Sequence, residues 1–289
     1  MELTGEIQCS PPPLAAMYVC PDCRTLLVDF ACPTCRSTYD VRDGIPILLP
    51  SDPRFKAATD IAATYDSIYR GHSDVWQNQG RTPQFLEYFA SVLGQLPCTR
   101  FLEVGCGEGL LLGRLVKGEK FAIDLSIEAL KRARMTASAS LSVALAERLP
   151  FRSAQFDLIA SVGVMEHFLD VDEATSEICR VLRPGGYYVA LTHVTQTFWD
   201  RVSQKVSDYV FPRPRPLQLA QWLRTRLRPG AKPELVKQPI QNRSTIRGAK
   251  ACLQRHGFSV AEVLHARRYP RPPLDPWVAV YVAQRRAGS

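Results

Sequence analysis

The sequence has no run of about eighteen or more apolar residues, so a membrane-spanning helix is not expected. Its opening, M-E-L-T-G-E-I, carries neither the basic flank nor the apolar stretch of a secretory leader, and the expectation is a soluble, cytoplasmic protein. No lysine follows its glycine cluster in the P-loop pattern, which argues against phosphoryl transfer. No internal repeat is evident. The nine cysteines are odd in number, and Cys9, Cys98, Cys106, Cys179 and Cys252 are scattered through mostly apolar or glycine-rich surroundings, which excludes a secreted disulfide scaffold. Acidic residues are scarce in the last third: basic residues outnumber them 18 to 5 over 194–289, whereas acidic residues lead 11 to 8 over 1–100 and 12 to 10 over 101–193. The whole excess of +8 is therefore C-terminal. Such a field can recruit phosphates, anionic metabolites, RNA or a membrane surface, and it can equally be surface solvation.

What is present divides into modules. A chain of 289 residues with 46% hydrophobic content has enough for one good-sized core and a small satellite. The satellite is read at 1–51, where Y-V-C-P-D-C and C-P-T-C set Cys20, Cys23, Cys32 and Cys35 in two close pairs. Four thiolates satisfy tetrahedral zinc, and a segment this short cannot bury enough apolar surface without such help. A redox dithiol is the rival for either pair. A complete thiolate shell has no open position, so the expected zinc is structural and does no chemistry. Residues 52–98 read as a linker and helices, with Thr82 and Pro83 marking a helix start.

From 99 to 289 short apolar strands alternate with helices, the pattern of a parallel α/β sheet. Strands are expected at Phe101 to Val104, Phe121 to Ile123, Leu141 to Leu145, Phe156 to Ser161 and Tyr187 to Leu191, with a helix capped by Ser126 and another over Asp172 to Leu182. The alternation breaks over 193–244, which carries P-R-P-R-P and W-L-R-T-R-L-R-P-G and reads as a substrate cap; Trp199, Tyr209, Phe211 and Trp222 either line an acceptor pocket or form the cap's own core. It resumes with a helix near Thr245 to His256 and strands around Val260 to Ala266 and Trp277 to Ala283.

The most informative stretch is F-L-E-V-G-C-G-E-G, Phe101 to Gly109, followed by F-A-I-D-L-S. A buried strand runs into glycines at 105, 107 and 109, which permit a tight turn and close approach to a ligand. Asp124, at the end of the next strand, is placed to accept hydrogen bonds from the two hydroxyls of a ribose.

With A-E-R-L-P-F at Ala146 to Phe151, F-D-L-I at Phe156 to Ile159, V-M-E-H at Val164 to His167 and V-L-R-P-G-G at Val181 to Gly186, these motifs resemble the class I S-adenosylmethionine-dependent methyltransferases related to ubiquinone and sterol methyltransferases. The resemblance covers roughly Tyr65 to Arg285 and implies a Rossmann-like, seven-stranded sheet carrying S-adenosylmethionine. It implies that Glu103, Gly105, Cys106, Gly107 and Gly109 face the methionine part of the cofactor, and that Asp124 binds the ribose. Backbone groups at Ala146 and Glu147, with Leu125 stacking, serve the adenine, and Tyr65 closes over it. An acid common before the A-E-x-L-P-F segment is replaced by Leu145. The ribbon, with Y-D-V-R-D-G-I-P-I-L-L behind it, which reads as a turn at Asp43 and Gly44 leading into an apolar edge strand, resembles the Trm112-type zinc domain.

Residues Val162 to His167 lie where an acceptor would meet the methyl group, and Val162 is expected to contact the cofactor as well. Glu166, His167 and His193 are the candidates for proton transfer, with packing or cofactor support the alternative for His167. No N-P-P-Y or D-P-P-Y segment, which holds planar amines in many nucleobase methyltransferases, occupies this place. The expectation is therefore methyl transfer to oxygen or carbon of a small molecule, apolar or anionic. An RNA base methyltransferase and a noncatalytic zinc-ribbon interaction protein are the alternatives, and the oligomeric state is left open.

Overall fold

Short apolar runs bounded by glycine, proline or charge become buried strands, because each is too short for a helix and is covered on both faces. Arg100–Val104 is typical, with every residue but the first buried. The structure, a computed structural model, describes residues 17–71, 83–115, 117–195, 239–242, 244–265 and 277–288. Among these, β1 (Val41–Arg42), β2 (Ile45–Leu48), β3 (Arg100–Val104), β4 (Glu119–Asp124), β5 (Ser140–Ala144), β6 (Phe156–Val162), β7 (Leu182–His193), β8 (Phe258–His265) and β9 (Val278–Arg285) form one sheet in the order β1-β2-β5-β4-β3-β6-β7-β9-β8. Strands β2 to β7 run parallel to one another, β1 pairs antiparallel with β2, and β9 returns antiparallel between β7 and β8.

Five helices accompany the sheet among the described residues: α1 (Ala57–Gly71), α2 (Pro83–Gly94), α3 (Ile127–Thr136), α4 (Val171–Val181) and α5 (Ile246–Arg255). Three of them start where the sequence supplies a cap. The Ser126 hydroxyl accepts from the Ala129 amide at 3.1 Å, Asp170 from Glu173 at 2.9 Å and Thr245 from Gly248 at 3.1 Å. The described part of the expected 193–244 cap is confined to its two ends; P-R-P-R-P, the basic stretch after it and all four cap aromatics lie outside the described residues.

The sheet departs from expectation at one edge. Seven strands, β3 to β9, match the expected set, but β1 and β2 from the N-terminal segment extend it to nine. Ile47 and Leu48 pair in parallel with Val143 and Ala144, so the I-P-I-L run covers what would otherwise be the open side of β5. The cysteine ribbon is thus joined to the main sheet by backbone hydrogen bonding. Its core is shared as well: Tyr18 is fully buried and its ring lies 5.5 Å from that of Phe151. Phe151 in turn meets Phe121 and Phe156 edge-on, at 6.0 and 5.0 Å between centroids.

This shared cluster generates a test. Phe151→Ala is expected to destabilise the chain by about 3–5 kcal/mol, the usual range for a buried aromatic truncated to alanine. Urea unfolding followed by far-UV circular dichroism, which reads the helices and sheet, and by labelling of the buried Cys20 and Cys32 thiols, which reads the ribbon, should give one coincident transition in the parent chain. Separate transitions for ribbon and sheet would show that the two cores are independent.

Candidate functional site

In a parallel sheet, ligands settle outside the carboxyl ends of the strands where connections diverge to opposite sides. Here that place is the end of β3, flanked by β4 and β6. A cleft enclosing about 740 Å³ opens there. The turn after β3 forms its floor. Gly105 has φ +70°, and a Cβ added to it would stand 2.5 Å from the methyls of Val164, so a side chain is excluded on both counts. Gly107, also at positive φ, lines the cleft and donates its N–H to Asp124 Oδ2 at 2.8 Å.

Asp124 presents its carboxylate at the end of β4. Its other oxygen accepts the Ser126 N–H at 2.9 Å, at the start of α3. Each carboxylate oxygen has two lone pairs, so these backbone bonds are compatible with further acceptance from hydroxyls in the cleft. Helix α1 closes one side with Ile61, Tyr65 and Tyr69. Burial, with the charges of Asp124 and Glu166, pushes the Tyr65 phenol well above its usual value, so its hydroxyl stays protonated. The helix is tied down by Asp66, which accepts from the Ser126 hydroxyl at 2.6 Å and the Glu128 amide at 3.2 Å.

The opposite wall is apolar: Leu125, Ala144, Leu145, Ala146, Phe168 and Leu169. Glu147 adds a carboxylate that is almost fully buried and accepts from the Asp170 amide at 3.2 Å. Burial raises its pKa, partly offset by backbone N–H donors.

At the far end β6 and β7 bring a second set together. Glu166 is buried, and its Oε2 accepts from the Thr192 hydroxyl at 2.8 Å. Its Oε1 bonds to His193 Nδ1, with His167 Nε2 4.0 Å away. Burial alone would raise the Glu166 carboxyl, but the hydrogen bond and charge of His193, with the charge of His167, hold it below the usual value. His193 is 62% exposed at its side chain and borders Gly163, whose added Cβ would lie 3.9 Å from the imidazole Cε1. His167 faces the cleft and is held at Nδ1 by the Ile240 carbonyl at 2.5 Å.

Residues 102–190 match a family model described as a methyltransferase domain. Over these residues the chain is similar to methyltransferase domains. It is 31% identical over 132 residues to a ubiquinone biosynthesis O-methyltransferase of Alkalilimnicola ehrlichii, a match covering 40% of this chain and 53% of that enzyme. It is 37% identical over 102 residues to a malonyl-[acyl-carrier protein] O-methyltransferase of Enterobacter lignolyticus, covering 33% and 41% respectively. The chain thus spans about half or less of the curated relatives it matches. A solved S-adenosylmethionine-dependent methyltransferase of Thermotoga maritima superposes with TM-score 0.53 at 19% identity, over 78% of this chain and 99% of that one, and shares the fold.

Of the residues expected around the methyltransferase cofactor, Tyr65, Gly105, Gly107, Asp124, Leu125, Ala146 and Glu147 line the cleft. Glu103, Cys106, Gly109 and Val162 do not: Glu103, Cys106 and Val162 are buried behind it, and Gly109 packs against Ala133 of α3. Among the candidates for proton transfer only His167 lines the cleft itself, while Glu166 and His193 stand beside it. Ile61, Phe168, Leu169 and Ile240 were not anticipated. Ile240 and Asn242 lie at the end of the break in the alternating pattern, and Asn242 latches the 166–168 turn by donating to the Glu166 and Phe168 carbonyls, both at 2.6 Å. No periodicity marks that contact in advance.

In the ribbon, the sulfurs of Cys20, Cys23, Cys32 and Cys35 all lie within 4.8 Å of one another, with Cys20 to Cys35 at 3.5 Å and Cys23 to Cys32 at 3.3 Å. Zinc–sulfur bonds of about 2.3 Å in a tetrahedron separate sulfurs by about 3.8 Å, so the four thiols are already gathered to nearly that spacing. The knuckles also repeat each other, C-P-D-C-R-T and C-P-T-C-R-S, with Thr25 and Ser37 hydrogen-bonding the Cys23 and Cys35 thiols. Six residues are too few for this repeat to register as architecture in the sequence.

Proposed function

We propose that the chain transfers a methyl group from S-adenosylmethionine to oxygen or carbon of a small organic metabolite, and that its ribbon holds one structural zinc. The observation that carries the first reading is the cleft at the end of β3, where a side-chain-free turn, the Asp124 carboxylate and an apolar wall converge. Those groups fit the three parts of the cofactor. The Gly105 to Gly107 backbone admits the amino-acid end, Asp124 accepts from the ribose hydroxyls, and the apolar surface of Leu125 and Leu145 packs on adenine, with Ala146 and Glu147 at its edge. Tyr65 covers the site from α1. The cofactor supplies an electrophilic methyl group, and the fold supplies alignment of the acceptor with it.

Glu166 and His193 are assigned to proton removal from the acceptor. The buried carboxylate grips Nδ1 and fixes the imidazole's orientation, so transfer runs through Nε2, the division of labour seen wherever a carboxylate orients a catalytic histidine. His167, bound to the Ile240 carbonyl, is assigned to holding the returning segment against the cleft. Apolar walls beside a single acid–base pair favour a small, largely apolar acceptor over a nucleobase, whose edge needs several fixed hydrogen-bonding groups. The relatives named above as O-methyltransferases support the same choice. The four thiolates would saturate a zinc ion, which confines the metal to folding.

Asp124→Ala should weaken S-adenosylhomocysteine binding by about 1–3 kcal/mol in calorimetric titration, and undiminished affinity in the folded variant would remove the ribose contact. With radiolabelled methyl donor, label should enter a small-molecule fraction. His193→Ala should lower kcat about a hundredfold or more with cofactor affinity unchanged. Glu166→Gln should move the rising limb of the kcat profile to lower pH, because the imidazolium loses its counter-charge. Nuclease-sensitive label confined to RNA would overturn the acceptor class. Elemental analysis of chain purified without added metal should find about one zinc per molecule, and a stoichiometric absence in fully reduced protein would refute the zinc reading.

A further inference from the structure

One ribbon side chain bonds the segment that continues from the cleft wall. In each knuckle the arginine after the second cysteine takes a left-handed conformation, φ 67° at Arg24 and 63° at Arg36. Each donates its N–H back to the carbonyl of the first cysteine, at 2.9 and 3.0 Å. A non-glycine residue holds this conformation only where its surroundings over-determine it. The turn around the sulfurs therefore fixes the direction in which each arginine leaves the backbone. Arg36 is exposed. Arg24 instead crosses to the segment after β5 and to α4, where Nη1 donates to the Leu149 carbonyl at 2.9 Å and Nη2 meets Glu177 Oε2 at 2.8 Å.

Its targets belong to the segment that walls the cleft. Leu149 lies three residues beyond Ala146, and its N–H donates to the same Glu177 oxygen at 3.1 Å. Arg180 completes the clamp, donating to Glu177, to the Leu149 carbonyl at 3.0 Å and to the Phe151 carbonyl at 2.8 Å. Next to these, Val19 of the ribbon donates to the Pro150 carbonyl at 3.0 Å. Glu177 and the Arg24 stem are largely withdrawn from water, with side-chain exposures of 8% and 29%, where an ion pair is screened less than on the open surface.

We propose that Arg24 is a positioning residue for the cofactor: the cysteine-held knuckle aims its guanidinium at Leu149 and Glu177, and this fixes the Leu145 to Phe151 segment against which adenine packs. The assignment rests on the cofactor reading above. It gives the ribbon a role in the domain's own ligand affinity, so that loosening the knuckle loosens the adenine wall without touching any residue in the cleft.

Calorimetric titration of the zinc-replete chain tests it, with S-adenosylhomocysteine and with 5′-methylthioadenosine, which lacks the amino-acid end. Arg24→Ala should weaken both ligands about tenfold, the consequence of losing roughly 1.4 kcal/mol of loop ordering. An equal loss for the two places the defect at the nucleoside they share and not at the amino-acid end. Arg24→Lys should recover part of the affinity, and Arg36→Ala, the same turn in the other knuckle, should bind as the parent does. Should Arg24→Ala fail to fold, Glu177→Gln weakens the same link from the α4 side and is expected to show the same equal loss. Parent-like affinity in the folded variants, or equal losses in Arg24→Ala and Arg36→Ala, overturns the assignment. A parent chain that binds neither ligand overturns the cofactor reading itself.

Discussion

The cleft depends on the acceptor capacity of one carboxylate. Asp124 receives the Gly107 amide on one oxygen and the Ser126 amide on the other, so it fixes the glycine turn after β3 and the start of α3 at once. Ser126 caps α3 and donates its hydroxyl to Asp66, which brings α1 down over the opening. Floor, side and cover are thereby joined in a short chain of hydrogen bonds whose donors are mostly main-chain groups, and a buried main-chain group left unpaired costs about as much as a lost hydrogen bond. An asparagine at 124 would retain one good acceptor and lose the charge that strengthens both bonds.

The N-terminal segment shows how a small module becomes stable. The ribbon is too short to bury a core of its own, and it draws on three sources: the gathered thiols, the pairing of β2 with β5, and the burial of Tyr18 against Phe151. The last two tie it to the sheet. The Phe121, Phe151 and Phe156 cluster consequently sits where ribbon, sheet and the Leu145 to Phe151 segment meet.

Much of this was legible in the sequence, for reasons that can be given residue by residue. Local signals carried the strands, since F-L-E-V and F-A-I-D are apolar runs closed by glycine or a cap, and Ser126, Asp170 and Thr245 announce helices through chemistry that acts within four residues. Seven of the eleven residues expected around the cofactor line the cleft because they belong to motifs whose spacing is fixed by one turn. What escaped was non-local. Nothing in I-P-I-L specifies β5 as its neighbour, since any exposed apolar edge would accept it. Phe168, Leu169 and Ile240 reach the cleft through the 166–168 turn and its latch to Asn242, a contact between segments more than seventy residues apart in the chain.

Glu166 bears on why the acceptor end is built as it is. A buried carboxylate is expensive to desolvate, and an apolar residue of similar size at such a position is commonly neutral or stabilising for the fold. Here the charge is kept, with Thr192 on one oxygen and the His193 imidazole on the other, and it remains ionised despite its burial. Holding Thr192 alone would not require a charge, because a neutral amide accepts a hydroxyl proton as well. A charge is required where a neighbouring group must itself become positive, and His193 is the neighbour that can do so near neutral pH. The energetic logic of Glu166 therefore supports the role proposed for His193, since the buried charge offsets the proton that the imidazole would gain there.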